Sequence, residues 1–151
     1  MSHDVNVHGT AIVIGTTGLI FMGPSGSGKT AAALHCMGRA RERGLFSALV
    51  ADDQVLLRVA GAAIVARAPA AIAGLAEVRG SGIVSVETVP CAILARVIRP
   101  IPPPFAERIA PEAEDCEILP GQRLPVTRLP IGDGFDFFDR LTLILPFLVW
   151  K

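Results

Sequence analysis

The sequence predicts a single α/β domain in which a mixed β-sheet carries a central helix that follows a phosphate-binding loop. Three observations predict it. Gly23-Pro24-Ser25-Gly26-Ser27-Gly28-Lys29-Thr30 is a complete G-x-x-x-x-G-K-[ST] pattern, whose glycines let backbone N–H groups wrap a polyphosphate. The loop stands between a short apolar run, residues 18–22, and an alanine-rich run opening at Ala31. Strand, loop, helix is the order that aims a helix N-terminus at phosphate. Finally, Asp52-Asp53 directly follows the apolar run Leu49-Val50-Ala51, where the strand beside a phosphate loop commonly delivers an acid.

Each element follows in turn. Residues 5–9 and 10–15 read as an opening strand region kinked at Gly9. Gly15-Thr16-Thr17-Gly18 then reverses the chain into the strand that feeds the loop, so the sheet should contain antiparallel pairs. The helix runs through Arg39-Ala40-Arg41-Glu42-Arg43 and stops at Gly44. Residues 46–51 form the next strand, and residues 55–60 and 62–66 flank Gly61 as a small hairpin would. A short helix is expected from Ala70 to Leu75, begun near Pro69, and further strands at 84–86 and 93–98. From Arg99 to Pro130, prolines at 100, 102, 103, 104, 111, 120, 125 and 130 argue against helix or central strand. That stretch is expected to meander over the surface. The closing apolar run, residues 141–150, reads as a last core strand in preference to an interface.

Composition narrows the class. A chain of 151 residues with 51% hydrophobic residues can bury one core. Lys+Arg and Asp+Glu balance at 14 each, so no global field favours nucleic acid or an anionic membrane surface. Cys36, Cys91 and Cys116 are odd in number and widely spaced, which fits a reducing compartment and neither a disulfide framework nor a zinc site. The N-terminus lacks a signal pattern and the longest apolar run is too short to span a bilayer. A soluble, cytoplasmic protein is expected.

The loop chemistry names a nucleoside triphosphate as ligand. Lys29 would reach the β- and γ-phosphates, and the Thr30 hydroxyl is a natural Mg²⁺ ligand. Adjacent acids point to different sides, so one of Asp52 and Asp53 would serve metal or water while the other faces a substrate hydroxyl. The bland alternative is an Asp-Asp pair that merely opens a turn. In Glu77-Val78-Arg79-Gly80-Ser81-Gly82, Glu77 would add a carboxylate to the metal site and Arg79 would offset phosphate charge. An ion pair before a glycine turn is the plainer account of that cluster.

Taken together, the motifs resemble a family. The order His8-Gly9, the loop from Gly23 to Thr30, Ala51-Asp52-Asp53-Gln54-Val55, Arg67-Ala68-Pro69 and Glu77-Val78-Arg79-Gly80-Ser81-Gly82-Ile83 is similar to the catalytic domain of HPr kinase/phosphorylase. The resemblance runs in order from residue 7 to residue 87 and more loosely to about residue 131. The short chain resembles the compact alphaproteobacterial form that lacks the N-terminal domain. This implies a phosphate-loop fold of the HPr kinase/PEP carboxykinase-like type over residues 1–151. It also implies an ATP- and Mg²⁺-dependent kinase acting on a serine of an HPr-type phosphocarrier of the phosphotransferase system.

By the same resemblance, Gly23, Pro24, Ser25, Gly26, Ser27, Gly28, Lys29 and Thr30 bind the nucleotide, and Thr30 and Glu77 hold the metal. Asp53, favoured over Asp52, takes the proton. His8 tunes that carboxylate, and Arg108 stabilises charge on the transferring group. Two departures, Ser81 and the segment Ile131-Gly132-Asp133-Gly134-Phe135, bear on phosphorolysis, the reverse reaction, more than on the kinase direction. A small-molecule kinase and a non-catalytic nucleotide-binding regulatory module remain as rival functions. The oligomeric state stays open.

Overall fold

In the computed structural model, which describes residues 3–105 and 108–150, the chain opens with β1 (Val5–His8), breaks at Gly9 and continues as β2 (Thr10–Ile14). β1 is largely exposed, whereas every residue of β2 is buried. Gly15 and Thr16 turn the chain into β3 (Thr17–Phe21), antiparallel to β2 with Ile14 opposite Thr17. The antiparallel pair expected from the glycine turn is present. Met22 then hands the chain to the loop, its N–H donating to the Ile98 carbonyl at 3.0 Å.

The helix α1 (Lys29–Glu42) buries Ala32, Ala33, Cys36, Met37 and Ala40, a spacing that keeps one face on the sheet. Small side chains on that face let the helix lie against Ile12, Ile14, Leu19, Phe21 and Leu49. Burial pushes the Cys36 thiol well above its ordinary value, so this cysteine is a neutral core residue. The helix ends as the sequence predicts. Gly44 adopts φ +75°, its N–H donates to Arg41, and the Leu45 N–H reaches Ala40, the two bonds of a Schellman cap.

β4 (Ser47–Ala51) is fully buried beside β2, and β5 (Gln54–Ala60) and β6 (Ala63–Arg67) form the expected hairpin. Only residues 70–72 make a helical turn, a 3₁₀ turn. The helix expected to run to Leu75 is cut short because Leu75 already pairs with Ser85. There β7 (Leu75–Val78) and β8 (Gly82–Ser85) form a hairpin sheet of their own.

The proline-rich stretch needs the larger correction. β9 (Ala92–Ile101), β10 (Asp115–Leu119) and β11 (Gln122–Pro130) run through it. β9 lies inside the main sheet, in the order β1-β5-β6-β9-β3-β2-β4, and its second half also pairs with β11. It runs antiparallel to β6 and parallel to β3 and β11, so the sheet is mixed. The prolines are tolerated because of where their missing N–H groups point. The Ile98 carbonyl accepts from Met22 and the Ile101 carbonyl from Ile131. Strand alternation therefore turns Pro100 toward the β3 side, beyond the last β3 residue. Likewise the Val126 N–H donates to Glu114, so Pro130 faces the β10 side past the point where β10 begins. Pro125 precedes the first parallel pair, Val126 opposite Val97.

The tail is helical. α2 (Phe137–Ile144) is followed by a 3₁₀ turn at Pro146–Val149, not by a last strand. Phe138, Leu141, Leu145 and Leu148 are buried in the α1-side core. They recur at helical spacing, which an unbroken apolar run conceals. The tail is core on one face only, with Leu143, Ile144, Phe147 and Trp150 exposed, and it is helical where a strand was expected.

Gly18 and Asp136 should each contribute measurably to stability. A Cβ on Gly18 would lie 2.2 Å from the Ile93 backbone oxygen, where β3 meets β9. Gly18→Ala should cost about 2–3 kcal/mol, read as a fall in the urea midpoint; an unchanged midpoint would show that the strands part there at no cost. Asp136 caps α2 by accepting from the Phe138 and Asp139 N–H groups and lies 2.8 Å from His35 Nε2 on α1. Burial pushes the Asp136 carboxyl up. The Asp139 N–H, His35 and the Phe138 N–H outweigh that and hold it below its ordinary 3.8. A depressed carboxyl stabilises fully above the unfolded value and loses that contribution as pH falls through the folded one. Asp136→Ala should therefore cost about 1 kcal/mol at pH 7, and the gap to wild type should narrow below pH 3.8. Parallel denaturation curves at the two pH values check this; a gap of constant size would refute it.

Candidate active site

The loop leaves the carboxyl end of β3, an interior strand of the sheet, and closes on the N-terminus of α1. Gly28 serves as the cap residue at φ +88°, a conformation glycine adopts at no steric cost. The N–H groups of the first helical turn have no partner within the helix, so they point into the loop's concavity. Lys29 is only 7% exposed, and its Nζ donates to the Gly23 and Pro24 carbonyls at 3.0 Å each. The amine is thus folded back over the loop. Ser27 Oγ is buried with no partner among the described residues, and a Cβ on Gly23 would come within 2.9 Å of it. Unpaired donors, a captive ammonium and a tight glycine loop together fit a polyphosphate.

A cavity of about 440 Å³ opens on this loop, lined among others by His8, Thr10, Lys29, Thr30, Asp53, Glu77 and Arg79. The two aspartates separate here. Asp52 is buried, 5% exposed, and its Oδ1 accepts the hydroxyls of Thr10 at 2.9 Å and Thr30 at 2.7 Å. Its Oδ2 accepts the Glu77 N–H at 2.9 Å. One side chain therefore ties β2, α1 and β7 to the end of β4. Asp53 faces the other way, with its side chain 65% exposed and Oδ1 3.3 Å from His8 Nδ1. Among the described residues it is the one non-glycine residue at positive φ, +69°, strain of the kind stored at functional sites. Its carbonyl accepts the Gly9 N–H at 3.1 Å, which fixes the end of β1 beside it.

Thr30 and Glu77 line the same cavity. Among the described residues no three His, Cys, Asp or Glu side chains cluster to hold a metal. A Mg²⁺ ion usually takes only one or two protein ligands beside phosphate and water, and Thr30 with Glu77 matches that donor set. Arg108 is elsewhere. It lines a second hollow, of about 790 Å³, with Ile101, Phe105 and Arg128. Thr10 is the site residue that sequence reasoning missed. Its signal was a single hydroxyl heading the otherwise apolar strand Ala11-Ile12-Val13-Ile14, directly after His8-Gly9.

Residues 1–92 match the family model described as the HPr Serine kinase C-terminal domain. The chain belongs to that family. An HPr kinase/phosphorylase from Brevibacillus brevis is 30% identical over 145 residues, covering 89% of this chain and 44% of the relative. Those from Clostridium acetobutylicum and Mycoplasmopsis pulmonis are 33% and 34% identical, over 57% and 56% of this chain and 26% of each relative. The chain thus spans less than half the length of these curated relatives. The solved HPr(Ser) kinase/phosphatase structure from Coxiella burnetii superposes with a TM-score of 0.71 at 23% identity, covering 96% of this chain and 93% of that one. The HPr kinase fold, mixed α/β with few helices, is therefore shared. Among the described residues no helix is long and apolar enough to cross a membrane.

Proposed function

We propose that this chain is a single catalytic domain that transfers the γ-phosphoryl group of ATP, with Mg²⁺, to a serine hydroxyl on an HPr-type phosphocarrier protein in the cytoplasm. The observation that carries it is Asp53: an exposed, strained carboxylate beside His8, on the cavity that also holds Lys29 and Thr30. ATP supplies the phosphoryl group, and Mg²⁺ neutralises charge on it. The serine oxygen bonds to the γ-phosphorus as the bridge oxygen to the β-phosphate leaves, and Asp53 takes the serine proton. His8 orients Asp53. Lys29 exchanges its hold on the Gly23 and Pro24 carbonyls for phosphate oxygens, and Thr30 and Glu77 hold the metal. Asp52 holds the Thr30 hydroxyl hydrogen, which leaves the oxygen lone pairs for the cation. Arg108, which lines the other hollow, takes no part in this proposed transfer.

Incubation of an HPr-type protein with the chain, Mg²⁺ and ATP, followed by intact-mass analysis, tests the proposal. One phosphoryl group on serine, absent with Lys29→Ala, is the expected outcome. No added mass while ATP still binds would move the acceptor to a small molecule or leave a non-catalytic switch.

A further inference from the structure

The second hollow is larger than the one at the loop and is built differently. At about 790 Å³ it falls within the size range of small-molecule sites. Its walls are Ile101 at the end of β9, Phe105, and Ile144 of α2, with Arg108, Arg128 and Arg140 on its lining and no acidic residue among the described residues that line it. It stands outside the carboxyl ends of the parallel strands β9 and β11, the position where open α/β sheets collect ligands.

The three guanidinium groups are not equivalent. Arg128 is engaged by Glu114, with Nε 2.9 Å from Oε1 and a second nitrogen 3.0 Å from Oε2. Arg140 is engaged by Asp133 through two nitrogens, at 3.2 and 2.9 Å, and by the Pro130 carbonyl, and it stacks 4.8 Å from the Phe135 ring. These two forks are held rigid and their charge is offset. Arg108 is exposed and pairs with no carboxylate among the described residues. One uncommitted fork beside an apolar wall matches one planar carboxylate on an apolar body.

We propose that this hollow is a binding site for a small organic monocarboxylate, with Arg108 gripping the carboxylate and Ile101, Phe105 and Ile144 covering the apolar part. The site is also placed to communicate with the phosphate loop. Pro130 lines the hollow, and the next residue, Ile131, puts its Cδ1 within 3.4 Å of where a Cβ on Gly28 would stand. The inference does not depend on what the loop binds.

Calorimetric titration of the nucleotide-free chain with sodium hexanoate tests it, with hexanol and inorganic phosphate as separate titrants. Saturable binding of hexanoate, weakened about tenfold or more by Arg108→Gln and not matched by either control, is the expected result. Arg108 is exposed, so the variant should fold, and an unchanged thermal midpoint verifies that. Equal binding of hexanol would make the hollow merely apolar, and phosphate binding as tight as hexanoate would make it a general anion site. Either result, an unaffected Arg108→Gln titration, or no saturable hexanoate binding would overturn the proposal.

Discussion

Asp53→Asn should lower phosphoryl transfer by roughly 10²- to 10⁴-fold, the contribution typical of a positioned general base, while leaving nucleotide affinity unchanged. Asparagine is the informative substitution. It has the same size, and it tolerates the left-handed backbone that Asp53 adopts at φ +69°. It cannot take the serine proton. Alanine at this position would mix the chemical loss with backbone strain. Single-turnover transfer to an HPr-type protein and calorimetric titration with ATP, run on the same preparations, give the two readouts. A variant with wild-type transfer would remove Asp53 from the chemistry. A variant that no longer binds ATP would recast the residue as part of the nucleotide site.

Asp52→Ala should behave in the opposite way, as a stability defect first. The buried carboxyl accepts from the Thr10 hydroxyl, the Thr30 hydroxyl and the Glu77 N–H, and Thr10 itself is fully buried. Removing the acceptor strands three donors, at a cost of about 3 kcal/mol or more. That is a large share of the roughly 5–15 kcal/mol that holds a domain of this kind together. Urea denaturation should show a clear fall in midpoint for Asp52→Ala and almost none for Asp53→Asn. If both variants unfold like wild type, the tie between β2, α1, β4 and β7 is not structural. The paired experiments separate two adjacent residues that a motif treats as a unit.

Much of the site was legible because its parts are local. The loop, the helix behind it and the Gly44 stop lie within residues 23–44 and obey rules of spacing and backbone conformation. His8, Asp53, Glu77 and the loop were named from the sequence, and the fold brings them to one cavity. Arg108 was named with them and the fold sets it apart. Thr10 went unnoticed because one hydroxyl in an apolar strand carries no pattern. Its meaning arises only when Asp52 arrives from 42 residues away.

By itself, then, the sequence determined the strand–loop–helix unit around residues 23–30, the antiparallel reversal at Gly15, the hairpin about Gly61 and the order of family motifs. Each depends on neighbours a few residues apart, where propensity, turn chemistry and capping decide the outcome. Tertiary structure alone decided that β9 and β11 would thread a proline-rich stretch, that the tail would be helix, and which aspartate would be buried. A proline excludes a strand only if its missing N–H faces a partner, and which side it faces depends on a register set by distant strands. An apolar run becomes helix or strand according to the surface offered to it. Asp52 is buried because donors from three other elements converge on it, and no residue beside it in the chain could have specified that.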